Sequence, residues 1–196
     1  MKQTEKILGA LILLFMISRL FFSYPFSAIA ITFSILLLAV LYLWLSFGLL
    51  NNIRLRNIFK KESYKKTSPL RILGTVLTGF ILSLTLIYSL FKFQLWPYGN
   101  EGLLISIYGL LIVIIIALIK YLTSKNKFYS SILKRLIFIG TFAVSLYLIP
   151  YESLLKIKNR KYPEYVEAEI KSMRDPQNKE LQEKAREELM KMSLDK

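Results

Sequence analysis

The chain has 196 residues, 54% of them hydrophobic, with a mean hydropathy of +0.44 and a formal net charge of +14. Its apolar residues run on without the polar interruptions a soluble domain needs, so the sequence belongs in a bilayer. Histidine and cysteine are both absent, which removes the usual general base, the usual thiol nucleophile, the commonest ligands of zinc, haem and iron–sulfur clusters, and any disulfide.

The positive charge has a location. Residues 1–150 carry 16 Lys and Arg against three acids, Glu5, Glu62 and Glu101, whereas residues 151–196 carry 11 against 10. A basic excess beside apolar segments follows the positive-inside rule, while a nucleic-acid groove would want a basic face on a water-soluble fold. No nucleic-acid partner is expected. Anionic lipid at the basic loops is expected, at about 1 kcal/mol per basic residue near the surface.

A helix needs about 20 apolar residues to cross the hydrocarbon core. The first candidate, 7–23, contains Arg19 and follows Lys2 and Lys6, a pattern shared with signal peptides. Cleavage is not expected, because no small-x-small site bounds the run and it resumes after Pro25 through Leu50. The junction holds Arg19, Phe21, Phe22, Tyr24 and Pro25, and the second candidate is 26–50, so 1–50 reads as a transmembrane hairpin. Residues 51–70 are a basic loop with Arg54, Arg56, Lys60, Lys61, Lys65 and Lys66.

The third candidate, 71–95, carries Thr75, Gly79 and Ser83 at i, i+4 and i+8, a small-residue stripe that lets another helix approach closely. It ends in Phe91, Lys92, Phe93, Trp96, Pro97 and Tyr98. The fourth, 102–122, begins beside Glu101, whose charge suits the positive end of a helix dipole, and 71–122 is the second hairpin. Lys120, Lys125, Lys127, Lys134 and Arg135 form another basic connection before the fifth candidate, 132–150, in a region bounded as 131–150. The fold class is therefore an all-α integral membrane protein of five transmembrane helices, as two repeated hairpins plus one, with a helical C-terminal tail.

That tail, 151–196, reads as a soluble helical hairpin. Pro163 starts one helix with Val166, Ile170 and Met173 on a face; Asp175 and Pro176 cap and start the next, with Leu181, Ala185, Leu189 and Met192 on its face. Glu180 with Lys184 and Glu187 with Lys191 stand at helical i,i+4 spacing.

Aligning Pro25 with Pro97 superposes the first hairpin on the second, an internal repeat. In each copy, proline, which has no amide donor and fits a first helical turn, ends one span and begins the next. Phe21, Phe22, Tyr24, Phe91, Phe93, Trp96 and Tyr98 make an aromatic belt for the membrane interface. Arg19 and Lys92 have two readings: anchors whose stems snorkel outward, or interior cations that hold an anion, a lipid headgroup or a partner's carboxylate.

Residues 91–97, with Phe91, Lys92, Trp96 and Pro97, resemble the transmembrane hairpin of the gliding-motility and type IX secretion motor family GldL, whose pattern is Phe-Lys-x-x-His-Trp-Pro-Gly. About 35 residues of the second repeat share the likeness, and the first repeat shares it more weakly, with Arg19 for the lysine and Tyr24 for the tryptophan. The resemblance implies a relative of that family's membrane region, duplicated, with a fifth helix and a different tail. Leu95 replaces the family's histidine and Tyr98 its glycine. Neither 26–50 nor 103–119 contains an acid, and a proton relay needs a group that titrates, so motor activity is not carried over.

The functional expectation is a non-enzymatic inner-membrane protein without cofactor, metal or catalytic residues, a structural or accessory part of a GldL-like envelope assembly. The alternative is a small transporter or channel subunit with a site between the hairpins. Both basic loops face the cytoplasm, which puts the N-terminus inside and the tail outside. A protein partner in the membrane or through the tail is expected, and a homo-oligomer is compatible with the sequence.

Overall fold

The computed structural model describes residues 2–22, 26–65 and 67–194. Among them are eight α-helices and no strand: α1 Lys2–Phe21, α2 Ser27–Leu50, α3 Pro69–Gln94, α4 Gly99–Ser124, α5 Lys127–Leu148, α6 Tyr151–Lys158, α7 Pro163–Arg174 and α8 Lys179–Leu194. They divide into two compact units, Met1–Leu148 and Ile149–Lys196.

Four helices of the first unit, α2 to α5, are long and apolar enough to cross a membrane. Their outer faces agree with that, since Phe33, Trp44, Ile105 and Ile112 are each more than half exposed. An apolar surface of that extent is unfavourable in water and suits lipid. Helices are the structure such segments must take, because a bilayer offers no partner for an unpaired backbone amide. The protein is therefore an all-α, multi-pass membrane protein. The helix α1 has 20 residues but carries Lys2, Glu5, Lys6 and Arg19, which separates it from those four by composition.

Consecutive helices of this unit pack on one another, and α3 also packs on α5. The core is Ile31, Ile35, Leu38, Leu82, Leu86, Leu103, Leu110, Leu136 and Ala143, all buried. All three residues of the stripe Thr75, Gly79, Ser83 are buried; Gly79 faces α2, and the Thr75 hydroxyl accepts from Asn51 Nδ2, just past the end of α2, at 3.3 Å. A Cβ on Gly79 would collide with Ser46 and with the carbonyl of Tyr42, so the two backbones come close there as only glycine permits. On α4 the small residue Gly102 receives the ring of Tyr88, and Gly109 sits beside Ile81.

Several boundaries differ from those expected. Ser68 caps α3 with its hydroxyl accepting from Arg71 N at 3.3 Å, and Pro69 takes the first turn, so that helix begins two residues early. The fifth begins at Lys127 rather than 132 and ends at Leu148, so Lys127, Lys134 and Arg135, expected in the basic connection, are all helical. Pro97 lies in the turn and α4 starts at Gly99. The basic loop folds as two short 3₁₀ turns, Leu55–Asn57 and Lys61–Tyr64. Its Ile58 is buried against Gly48, and the Tyr64 hydroxyl donates to Ile58 O at 2.7 Å. Burial raises the pKa of that hydroxyl.

The second unit adds a short helix that the periodicity did not announce, α6, ahead of the α7–α8 hairpin. Val166, Ala168, Ile170, Ala185 and Met192 are its buried apolar residues on α7 and α8, whereas Met173 and Leu189, expected on the inner faces, are exposed. The cap of α8 is Asn178, whose Oδ1 accepts from Glu180 N at 3.1 Å and Leu181 N at 3.3 Å, and Asp175 and Pro176 form the preceding turn. Among the described residues the ion pairs within α7 and within α8 are Lys171–Glu167 and Lys191–Glu188, not the two expected.

Candidate functional site

The hairpin tip at 91–100 is built from backbone demands. Leu95 ends α3 in the left-handed region, φ 62°, and Trp96 N donates to Phe91 O at 2.9 Å, which closes the helix end. Tyr98 is also left-handed, φ 59°. Gly99 then passes so close to the end of α3 that a Cβ would lie 2.6 Å from Lys92 N and 2.8 Å from Phe91 C. Phe91 and Trp96 meet edge to face at 5.2 Å, and Trp96 and Tyr98 are exposed where an interfacial belt would stand.

Lys92 does not extend freely past that belt. It is only 4% exposed, and its Nζ donates to Asn100 Oδ1 at 2.8 Å. Arg19 makes the corresponding reach, its Nη1 donating to the Ser27 hydroxyl. In both cases the acceptor stands eight residues on, on the first turn of the following helix. The two tips are joined by Gln94, whose Nε2 donates to Ala28 O at 3.1 Å and Thr32 Oγ1 at 3.2 Å. Tyr24 and Pro25, the expected turn of the first hairpin, lie outside the described residues.

The opposite end of the bundle holds a cluster that sequence reading missed. Arg135 grips Glu5 with a two-pronged contact, Nε to Oε1 at 2.5 Å and Nη2 to Oε2 at 2.7 Å, and the Tyr42 hydroxyl donates to the same Oε1 at 2.6 Å. Arg135 Nη1 also donates to Ser131, carbonyl and hydroxyl. The carboxylate and guanidinium are 12% and 14% exposed. Such a planar, charge-assisted pair is strong where water is excluded. It links α1, α2 and α5 at one point. A second staple lies at the same helix ends: Arg71 Nε donates to Asn51 Oδ1 at 2.9 Å while its guanidinium covers the Phe128 ring at 3.5 Å.

Beside the Glu5 pair opens a cleft of about 610 Å³ between α1, α2 and α5, with Lys6, Gly9, Tyr42, Lys134 and Arg135 in its lining. Glu5 is occupied by its partners, so the cleft presents cations rather than a free acid. Among the described residues no three carboxylates gather to hold a metal. Catalytic geometry would need a nucleophile or base aimed into the cleft, and the hydroxyl of Tyr42 is already committed to Glu5.

In the tail, a cleft of about 510 Å³ is lined by Lys156, Arg160, Val166, Ile170, Lys171 and Arg174 among others. Arg174 bridges to Glu152 at 3.2 Å. Burial raises the pKa of Glu169, and the Tyr165 hydroxyl is pushed up to about 12, by burial first and then by Glu169 and Tyr151.

Comparison with protein-family models, with curated proteins and with solved structures finds no match for this chain.

Proposed function

We propose that the chain is a non-enzymatic component of a bacterial inner membrane, a five-span bundle of two repeated hairpins plus one helix that serves as a structural or accessory part of a GldL-like envelope assembly. The observation that carries this reading is where the polar groups go. Near one end of the bundle they make helix-to-helix staples, Glu5–Arg135–Tyr42 and Arg71–Asn51; at the other, Arg19, Lys92 and Gln94 fasten the tips. Between the ends the core is mostly Ile, Leu and Ala with uncharged hydroxyls, of which Thr78, Thr85 and Ser106 donate to carbonyls of their own helices while those of Ser46 and Ser89 are buried without a partner among the described residues. Such a bundle suits scaffolding better than conduction, which needs polar side chains or broken helices at the midplane.

In this reading α1 is the fifth span. It runs antiparallel along α2, with Glu5 beside Tyr42 and Arg19 beside Ser27, so that the acid near one end and the arginine near the other each have a partner. The basic loops then face the cytoplasm, the N-terminus is inside and the tail lies outside as a docking surface. The matching reach of Arg19 and Lys92 supports a duplicated hairpin. The cleft beside Tyr42 favours the second reading, a small transporter or channel subunit, but it sits at one end of the bundle.

The test is gentle extraction from native membranes with identification of what accompanies the chain, together with reconstitution alone into sealed vesicles holding a pH gradient. A defined set of envelope partners, with a gradient as durable as in empty vesicles, is expected. Rapid protein-dependent collapse of the gradient would overturn the accessory reading in favour of the conducting one.

A further inference from the structure

The cleft at Glu5 does not stop at its cationic end. Below it a second hollow of about 560 Å³ runs along α5, and Leu13, Lys134 and Phe138 line both, so the two are one continuous groove between α1 and α5. The upper part carries the ammonium groups of Lys6 and Lys134, both exposed and, among the described residues, neither in an ion pair. The lower part is apolar, with Leu13, Ile137, Phe138 and Phe142.

We propose that this groove is a binding site for one anionic phospholipid, its phosphate held by Lys6 and Lys134 and an acyl chain laid along Leu13, Phe138 and Phe142. The inference rests on the membrane-spanning reading given above. Three features favour a lipid over a partner helix. The nearest arginine is already neutralised by Glu5, so the two lysines supply net positive charge, which complements a phosphate. Lys134 stands seven residues from the start of α5 and Lys6 about one turn inside α1, and long lysine stems at that depth reach toward the headgroups. The groove follows α5 from Ser131 to Ser145, about 21 Å along the axis, which is nearer the about 15 Å of one leaflet than the about 30 Å a spanning partner helix would cover.

Glycine at position 9 offers an independent handle. A Cβ there meets nothing within 4 Å, although the residue lines the groove, so Gly9→Phe puts a ring into the space without a clash at the backbone.

The experiment is native mass spectrometry of the full chain released from detergent micelles, with dioleoyl phosphatidylglycerol or dioleoyl phosphatidylcholine added at equal amounts. One retained phosphatidylglycerol is expected, preferred by roughly 30-fold, which is about 5-fold for each lysine. The Lys6→Gln, Lys134→Gln double variant should bring that preference to within about 2-fold, and Gly9→Phe should remove retention of both lipids. Equal retention of the two lipids, or full preference in either variant, overturns the proposal. So does a co-purifying protein or a second copy that is lost in Gly9→Phe while no lipid is retained. Alkaline carbonate extraction of the same membranes separates the two failures: a chain that stays in the membrane without lipid preference defeats the site alone, and a chain that is extracted defeats the spanning reading.

Discussion

Glu5 and Arg135 are 130 residues apart in the chain and meet in a two-pronged ion pair, with Nε–Oε1 at 2.5 Å and Nη2–Oε2 at 2.7 Å. The pair is mostly shielded from solvent, and its strength depends on both members being present. Arg135→Met leaves a carboxylate that only Tyr42 can partner, a loss of about 3–5 kcal/mol for a broken buried pair. Adding Glu5→Met to it removes the orphaned charge and should recover most of that loss. Unfolding of the two variants in mixed micelles checks the order: single variant least stable, double variant close to the parent.

A second expectation compares two glycines. Gly99→Ala drives a methyl into the backbone of Phe91 and Lys92, and forced overpacking costs about 1–3 kcal/mol. Gly74→Ala, where a Cβ meets nothing within 4 Å, should be neutral or stabilise α3 by up to about 1 kcal/mol. The same unfolding assay reads both.

Trp96→Ala removes the edge-to-face partner of Phe91, with a loss of about 0.5–1.5 kcal/mol beyond its area. Membrane insertion should be unchanged and thermal stability in micelles lowered. Unchanged stability with loss of a co-purifying partner would instead assign Trp96 to an interface.

The fold was legible wherever hydropathy alone decides the outcome. Long apolar runs gave α2 to α5 within a few residues, and of the stripe Thr75, Gly79, Ser83 the glycine lies against α2. Hydropathy failed where a charge sits inside a helix. Lys134 and Arg135 read as part of the basic connection because a cation interrupts an apolar window, and the satisfaction of Arg135 by Glu5 depends on a contact spanning most of the chain, which no periodicity records. Pro97 read as a first helical residue because proline favours that position, yet the close passage at Gly99 delays the helix by two residues. In the tail, Asn178 outcompeted Asp175 as the cap because Pro176 leads into a turn rather than a helix.

The tail should loosen in alkali. Tyr165 has its pKa raised from the ordinary tyrosine value to about 12, so the folded tail holds that proton more tightly than the unfolded chain. Its contribution to stability is whole below pH 10 and is lost as pH rises through about 12. Glu169, raised by burial, acts with the same sign at acid pH, its contribution present below the ordinary carboxylate range and lost as pH rises through its folded value. Limited proteolysis of 163–194 in the full chain should accelerate across the alkaline window, and Tyr165→Phe should flatten that rise.

The central claim is that α1 crosses the membrane with the other four, which fixes the tail on the far side from the basic loop. Reporters active only outside the cytoplasm, fused after Lys65 and separately after Lys196, test it directly. The account predicts opposite signals, silent after Lys65 and active after Lys196; matching signals at the two positions would contradict it.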